Sequence, residues 1–372
     1  MGKRILITGG AGFIGSHLSR ELEQAGHFVR ILDNFSAQVH GSRPERHDTL
    51  AEVQVGDVRN REHVKLALNG IDIVFHFAAS VGVGQSMYEV RSYIDNNNLG
   101  TATLLQALIT EKSPAIERLV VASSMSIYGE GLYVTAEGTV IDKARREVRD
   151  LERHDWEPKG PGGLPISPRP TPETKRPELA SVYALSKFDQ EQMCLMLGAA
   201  YKIPTVALRF FNVYGPGQAL SNPYTGVMAI FASRILNGHS PVVYEDGLQK
   251  RDFVHVSDVA RACHLAMQSS QAAGHVINIG SGIQYTILEI AERMARAMMR
   301  PTIRPELTGK CRIGDVRHCF ADISLARKLL GFEPRITLSD GLRELTDWLS
   351  RQRAIDKTKE ANAELLSRGL AI

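Results

Sequence analysis

The chain has 372 residues, of which 43% are hydrophobic and 23% charged, with 32 glycines and 16 prolines. That composition excludes a disordered, collagenous or coiled-coil chain. Lys and Arg number 44 against 41 Asp and Glu, a net charge of +3, so neither nucleic acid nor an anionic membrane is expected as a partner.

The opening MGKRILITGG enters a strand at once, without the charged and apolar regions of a signal peptide, and no later apolar run is long enough to span a bilayer. The expectation is a cytoplasmic protein. Four cysteines (Cys194, Cys263, Cys311, Cys319) with no CxxC predict buried, reduced thiols and no metal site.

In chain order, RILIT, FVRILD, AEVQV, IDIVFHF, RLVVASS and TVALRFF read as short buried strands, most of them separated by helix-length segments such as SHLSRELEQAG and NREHVKLALNG. Continuous apolar strands alternating with helices predict a Rossmann-type, doubly wound parallel sheet with helices on both faces. Residues 131–178 break the rhythm. They carry nine acidic and nine basic side chains, and seven prolines crowd between Pro158 and Pro177. A surface insertion is expected there, with a short helix near IDKARREVRDLERH. The domain reading is therefore a dinucleotide-binding domain over 1–210, holding that insertion and continued by 252–282. A smaller C-terminal α/β substrate lobe takes 211–251 and 283–372.

Residues 9–15, GGAGFIG, lie between the first strand and the first helix. Gly9, Gly12 and Gly15 allow a tight turn, and with Phe13 and Ile14 they bring backbone N–H groups and a helix N-terminus to a pyrophosphate. Asp33 closes the second strand 18 residues after Gly15, placed to accept both ribose hydroxyls and to repel a 2′-phosphate. Asn34-Phe35-Ser36 adds no basic residue, so NAD is favoured over NADP. Asp57 and Val58 after the third strand suit the adenine edge. Phe77, Ala78 and Ala79 after the fourth let backbone approach the cofactor.

Tyr183 and Lys187 form Y-x-x-x-K within a helical stretch, a spacing that puts both on one face. A phenol with a pKa near ~10 is a poor base at neutral pH, and a neighbouring ammonium favours its ionised form. Ser123, Ser124 and Ser126 end the strand RLVVASS, where open α/β sheets place ligands. Any of these three can supply a hydroxyl to a reacting sugar oxygen.

Taken together, TGGAGFIG, Asp33, Asn97 within NNNLGT, Ser124 within SSMSIYG, Tyr183-x-x-x-Lys187 and LRFFNVYGPG resemble the extended short-chain dehydrogenase/reductase superfamily. More narrowly they resemble nucleotide-sugar 4-epimerases such as UDP-glucose 4-epimerase, over residue 4 to roughly 345 apart from the insertion. The resemblance implies Tyr183 as general base, Lys187 as its partner and nicotinamide-ribose anchor, Ser124 as relay hydroxyl and Asn97 as a cofactor residue. It also implies Asn212, Arg251 and Arg312 at the diphosphate of a nucleotide-sugar substrate, Asp315 and Ser126 among the substrate-binding residues, and Tyr224 and Val227 at the base. Arginine forks suit phosphate oxygens. Family 4,6-dehydratases carry Asp-Glu after the equivalent hydroxyl residue, whereas this chain has Met125-Ser126. That favours 4-epimerisation through a transient 4-keto sugar, with NAD regenerated at each turnover.

The stretch 78–101, the insertion and the tail DKTKEANAELLSRGL resemble dTDP-L-rhamnose 4-epimerases, which make dTDP-6-deoxy-L-talose. Val81 replaces the lysine of typical UDP-glucose 4-epimerases, and KGPGGLP replaces a CxxC often found in the subgroup's insertion. UDP-glucose, UDP-galactose or a UDP-uronic acid remain alternative substrates, and a 4-keto sugar reductase or a non-catalytic NAD(H) sensor remain alternative functions. Leu185, Met193 and Leu197 predict a homodimer seam beside the helix over 98–110.

Overall fold

The apolar runs pair as seven parallel strands: β1 (Arg4–Thr8), β2 (Phe28–Asp33), β3 (Glu52–Val55), β4 (Ile73–His76), β5 (Arg118–Ser124), β6 (Thr205–Phe210) and β7 (Val276–Ile279). Their order across the sheet is β7-β6-β5-β4-β1-β2-β3. This computed structural model describes residues 2–41, 49–110, 116–141, 143–224, 226–312 and 314–370. Ile5, Leu6 and Ile7 are fully buried, as a strand covered on both faces requires. The helices named below are α1 (Phe13–Gln24), α2 (Arg61–Leu68), α3 (Gly100–Thr110), α4 (Val182–Tyr201), α5 (Val227–Leu236), α6 (Val256–Gln268), α7 (Ile287–Ala297), α8 (Leu338–Leu349) and α9 (Thr358–Ser367). Helices α2, α3 and α4 close one face of the sheet, and α1 packs on α6 across the other. Strand order reverses between β1 and β4, so their carboxyl ends open the crevice where such sheets bind ligands.

The C-terminal lobe has its own sheet. Asn212–Tyr214 runs parallel to Lys250–His255, which pairs antiparallel with Gln284–Thr286 and parallel with His318–Cys319. Lys250–His255 thus lies wholly in the lobe's sheet, while α6 and β7 return the chain to the central one. Helices α5, α7 and α8 share the lobe's core with Tyr214 and Phe253.

The insertion is more ordered than its prolines suggested. Leu132–Val134 pairs with Val140–Ile141 and with Ser167–Arg169, the latter an edge strand that tolerates Pro168. A single helical turn, Val148–Leu151, falls within the expected stretch. Tyr133 and Trp156 are buried. Arg317, 1% exposed, donates to Glu157 of the insertion at 2.7 Å and to Glu245 and Asp246 of the lobe at 2.8 and 2.6 Å. Charges of both signs, spread evenly in sequence, here lock the insertion onto the lobe.

The four cysteines are free and buried. No helix among the described residues is long and apolar enough to cross a membrane. The expected seam on α4 divides between two faces: Met193 and Leu197 pack inward against the sheet, whereas Leu185 and Met196 are exposed. Eleven residues is close to three whole turns, so Leu185 and Met196 share a side that Met193 and Leu197 do not.

Candidate active site

The crevice encloses about 1230 Å³ between the carboxyl ends of the central strands and the lobe. At its floor, Gly9 adopts φ 71° and a side chain there would collide with the backbone of Ala78. A Cβ on Gly15 would lie 2.5 Å from the Gly9 carbonyl oxygen, so only glycine lets α1 approach β1 this closely. Helix α1 has Gly12 as its N-cap, with no side-chain cap and no acidic residue in its first turn. The leading N–H groups, at Phe13 and Ile14, are therefore open to an anion. Asp33 Oδ2 accepts from Ala11 N at 3.1 Å and Oδ1 from Phe35 N at 2.9 Å, which fixes the carboxylate at the end of β2. Uncapped helix N-terminus, glycine cradle and anchored Asp33 fit NAD, with Asn34, Val58, Phe77, Ala78 and Ala79 lining the same floor.

Two residues expected at the cofactor stand outside the lining. Asp57 forms an ion pair with Arg59 at 2.6 Å, which holds its carboxyl below the usual range. Asn97 is fully buried in a π-helical turn, Ile94–Leu99. Its Oδ1 accepts from Ser80 N at 2.7 Å, and its Nδ2 donates to Ser186 Oγ of α4 at 2.8 Å. Asn97 therefore sets the position of the Ser80 loop relative to the helix that carries Tyr183.

Tyr183 is buried in the first turn of α4, whose N-cap Ser181 accepts from Ala184 N at 3.1 Å. Ser86 Oγ accepts the Tyr183 backbone N–H at 3.0 Å. Burial pushes the Tyr183 phenol up, and a hydrogen bond with the Ser124 side chain opposes that rise. Ser126 Oγ donates to Ser124 Oγ at 2.9 Å, so three hydroxyls run in series at the end of β5. Ser123 turns the other way and donates to Glu191 Oε2 at 2.6 Å.

Lys187 Nζ donates to Gln190 Oε1 at 2.6 Å. Gln190 Nε2 in turn donates to Thr101 Oγ1 at 2.7 Å, which also meets His76 Nε2 at 2.8 Å. His76 Nδ1 lies 2.8 Å from Thr8 Oγ1. Burial and the Lys187 charge push His76 down to about 3, so it stays neutral. No sequence motif flagged Gln190, Thr101 or His76, because three elements distant in sequence supply them.

Burial lowers Lys187 to about 8. A lowered cation loses its charge as pH rises through that value, so the wild-type rate should fall on the alkaline side. Lys187→Met is expected to cost about 10²-fold at neutral pH. It should also remove the alkaline limb, leaving a rate that climbs with pH as the phenol ionises. Profiles of kcat/KM between pH 6 and 10 check both.

At the lobe end, Asn212, Tyr224, Val227, Arg251, Arg312 and Asp315 all line the crevice. The Lys250, Val316 and Arg317 carbonyls hold the Arg251 guanidinium. Arg312 lies 4.3 Å above the Tyr244 ring and 3.6 Å from Asp315, and its buried Nε has no hydrogen-bond partner. That Nε faces the Asp315 carboxylate, so it is the rest of the guanidinium, at the crevice lining, that suits an anionic group. Arg251, Arg312 and Arg146 hold the Asp315 carboxyl down against its burial. Tyr224 accepts from Tyr88 at 2.5 Å, while Asn212 Nδ2 donates to the Asp252 carbonyl at 2.9 Å, which ties β6's extension to the lobe.

Glycine cradle, anchored carboxylate and buried Tyr–Lys pair in one crevice define an NAD-dependent oxidoreductase-type site on a doubly wound sheet. The chain belongs to the NAD dependent epimerase/dehydratase family, whose pattern matches residues 5–147 and 159–280. It is 35% identical over 360 residues to dTDP-L-rhamnose 4-epimerase of Burkholderia thailandensis, covering 94% of this chain and 96% of the relative. Among solved structures, MoeE5 in complex with UDP-glucuronic acid and NAD superposes with a TM-score of 0.74 at 32% identity, over 94% of this chain and 99% of the other. UDP-glucose 4-epimerase of Thermus thermophilus in complex with NAD gives 0.73 at 30% identity, with the same coverages.

Proposed function

We propose that this enzyme inverts C4 of a nucleoside-diphosphate hexose, and that its substrate is dTDP-L-rhamnose, converted to dTDP-6-deoxy-L-talose. The observation that carries the reading is the Ser126–Ser124–Tyr183 hydroxyl series beside buried Lys187, in a chain with no acid–base pair after Ser124. Neither Met125 nor Ser126 can remove water across C5–C6, which argues against a dehydratase. Bound in the glycine cradle, NAD supplies a reversible hydride acceptor for C4. Tyr183 takes the C4 hydroxyl proton as the carbonyl forms and returns it after the hexose has turned. Ser124 donates a hydrogen bond to the same oxygen, and Lys187 favours the phenolate through its charge. Arg312 and Arg251 hold the diphosphate while the sugar rotates.

The 6-deoxy sugar is favoured by the walls around Tyr183. The loop over 80–87 presents Val81, Val83 and Met87, each partly open to solvent, to the crevice and contains no cationic residue, so a uronate carboxylate would lack a charged partner on this loop while a C6 methyl would meet apolar side chains. The 35% identity to a dTDP-L-rhamnose 4-epimerase points the same way. The test is NMR in D₂O with dTDP-L-rhamnose, UDP-galactose and UDP-glucuronic acid offered in turn. A C4-inverted product from dTDP-L-rhamnose, with no deuterium on carbon, is expected. Faster turnover of either UDP sugar would overturn the substrate, and deuterium at C3 or C5 would overturn the reaction.

A further inference from the structure

After α8 ends at Leu349 the chain stays on the lobe. Asn237 Nδ2 donates to the Ala354 carbonyl at 2.9 Å, and Ile355 N donates to Ser221 Oγ at 3.0 Å. The Asp356 carboxylate takes Arg234 at 3.3 Å and His239 at 2.8 Å. From this pinned point α9 runs along the crevice. Thr358, Ala361 and Leu365 are buried, and together with Asn362 and Leu370 they line it.

The helix touches both sides. On the lobe, Asn362 Oδ1 accepts from Tyr244 OH at 2.8 Å, the same ring on which Arg312 stacks. On the dinucleotide domain, Leu365 packs close over Gly84, where an added Cβ would sit 3.3 Å from Leu365 Cδ2. The Arg368 guanidinium lies 4.5 Å from the Tyr88 ring centre. Gly84 and Tyr88 belong to the segment whose Ser86 holds the Tyr183 backbone.

A ten-residue helix is marginal by itself, so these contacts are what order α9. Its apolar side has no hydrophobic core of its own to cover, and the cleft takes its place. We propose that α9 is a wall of the substrate site: it contacts the nucleotide sugar through Asn362 and retains the oxidised sugar while that sugar turns over. The Asn362 side chain gives its oxygen to Tyr244, and its Nδ2 donates to no other group among the described residues. The inference rests on the nucleotide-sugar reading, because a free keto sugar must be kept from leaving between removal and return of the C4 hydrogen. Loss of that sugar would leave two electrons on the bound cofactor.

The full-length chain with Leu365→Asp places a charge against Gly84 and should lift α9. Asn362→Ala removes the amide with little effect on folding. Each is expected to weaken dTDP binding, measured by calorimetry, by about tenfold or more for Leu365→Asp and about threefold for Asn362→Ala. NAD content after purification should be unchanged in both. During turnover the Leu365→Asp protein should slowly gain absorbance near 340 nm as keto sugar escapes, while the wild type stays flat. Wild-type dTDP affinity in both variants, or a flat trace in Leu365→Asp with wild-type KM, overturns the wall. If Leu365→Asp loses its NAD, Asn362→Ala alone decides. A wild-type protein that binds neither dTDP nor UDP would instead refute the nucleotide-sugar reading itself.

Discussion

Replacing Tyr183 by Phe is expected to lower kcat by on the order of 10³–10⁴-fold while the protein keeps its NAD and its fold. The phenol oxygen, which the proposed mechanism uses to exchange the substrate proton, connects to Ser124, whereas the ring is held separately. Tyr93 packs edge-on at 6.4 Å between centroids, and the backbone N–H is bound by Ser86. Phe keeps the ring and the backbone contact and deletes only the oxygen. Ser124→Ala should cost less, because Ser126 Oγ stands beside the vacated position. Steady-state kinetics and the absorbance spectrum of the purified variant measure both effects. A Tyr183→Phe enzyme within tenfold of wild type would remove Tyr183 from proton transfer.

The largest expected loss of stability follows from Glu191→Ala. The Glu191 carboxylate is fully buried and Arg209 is 4% exposed. Arg209 donates to Glu191 from Nε at 2.9 Å and from Nη2 at 2.7 Å, and stacks on Tyr128 at 4.7 Å. Truncating Glu191 strands a guanidinium inside the sheet's covering layer and frees the Ser123 hydroxyl at the end of β5. Breaking a buried pair from one side costs about 3–5 kcal/mol, and for a chain of this length calorimetry should show a fall in Tm of about 4–6 °C. Exchanging both partners for apolar residues of matching volume should be far milder, since no charge is then left unpaired. A Glu191→Ala protein with wild-type Tm would mean that solvent reaches Arg209.

Much of this molecule is legible in one dimension because its signals are local. Strand–turn–helix around GGAGFIG, Asp33 one strand later and Tyr183 four residues before Lys187 each act over a single turn or element. Short-range sterics and helical periodicity are enough to read them. The parallel sheet follows from uninterrupted apolar runs, which only a strand buried on both faces can carry. Where the pattern depended on distant partners, sequence was silent or misleading. The charges of 131–178 read as a surface insertion, whereas the structure pairs Glu157 with Arg317 and Arg146 with Glu245; Met193 and Leu197 read as a seam, and they also pack partly buried against the sheet. Asn97 and Asp57 share the cofactor's neighbourhood, yet other side chains take their polar groups.

What residue order alone determined is the fold class, the dinucleotide cradle and the pairing of Tyr183 with Lys187 on one helix, since each is encoded by neighbours within one or two elements. Only tertiary structure decided which of three serines faces Tyr183, that Gln190 holds Lys187, and that the last helix closes the cleft. Those facts depend on which atoms lie within about 3 Å of one another after folding, and spacing along the chain carries no record of that.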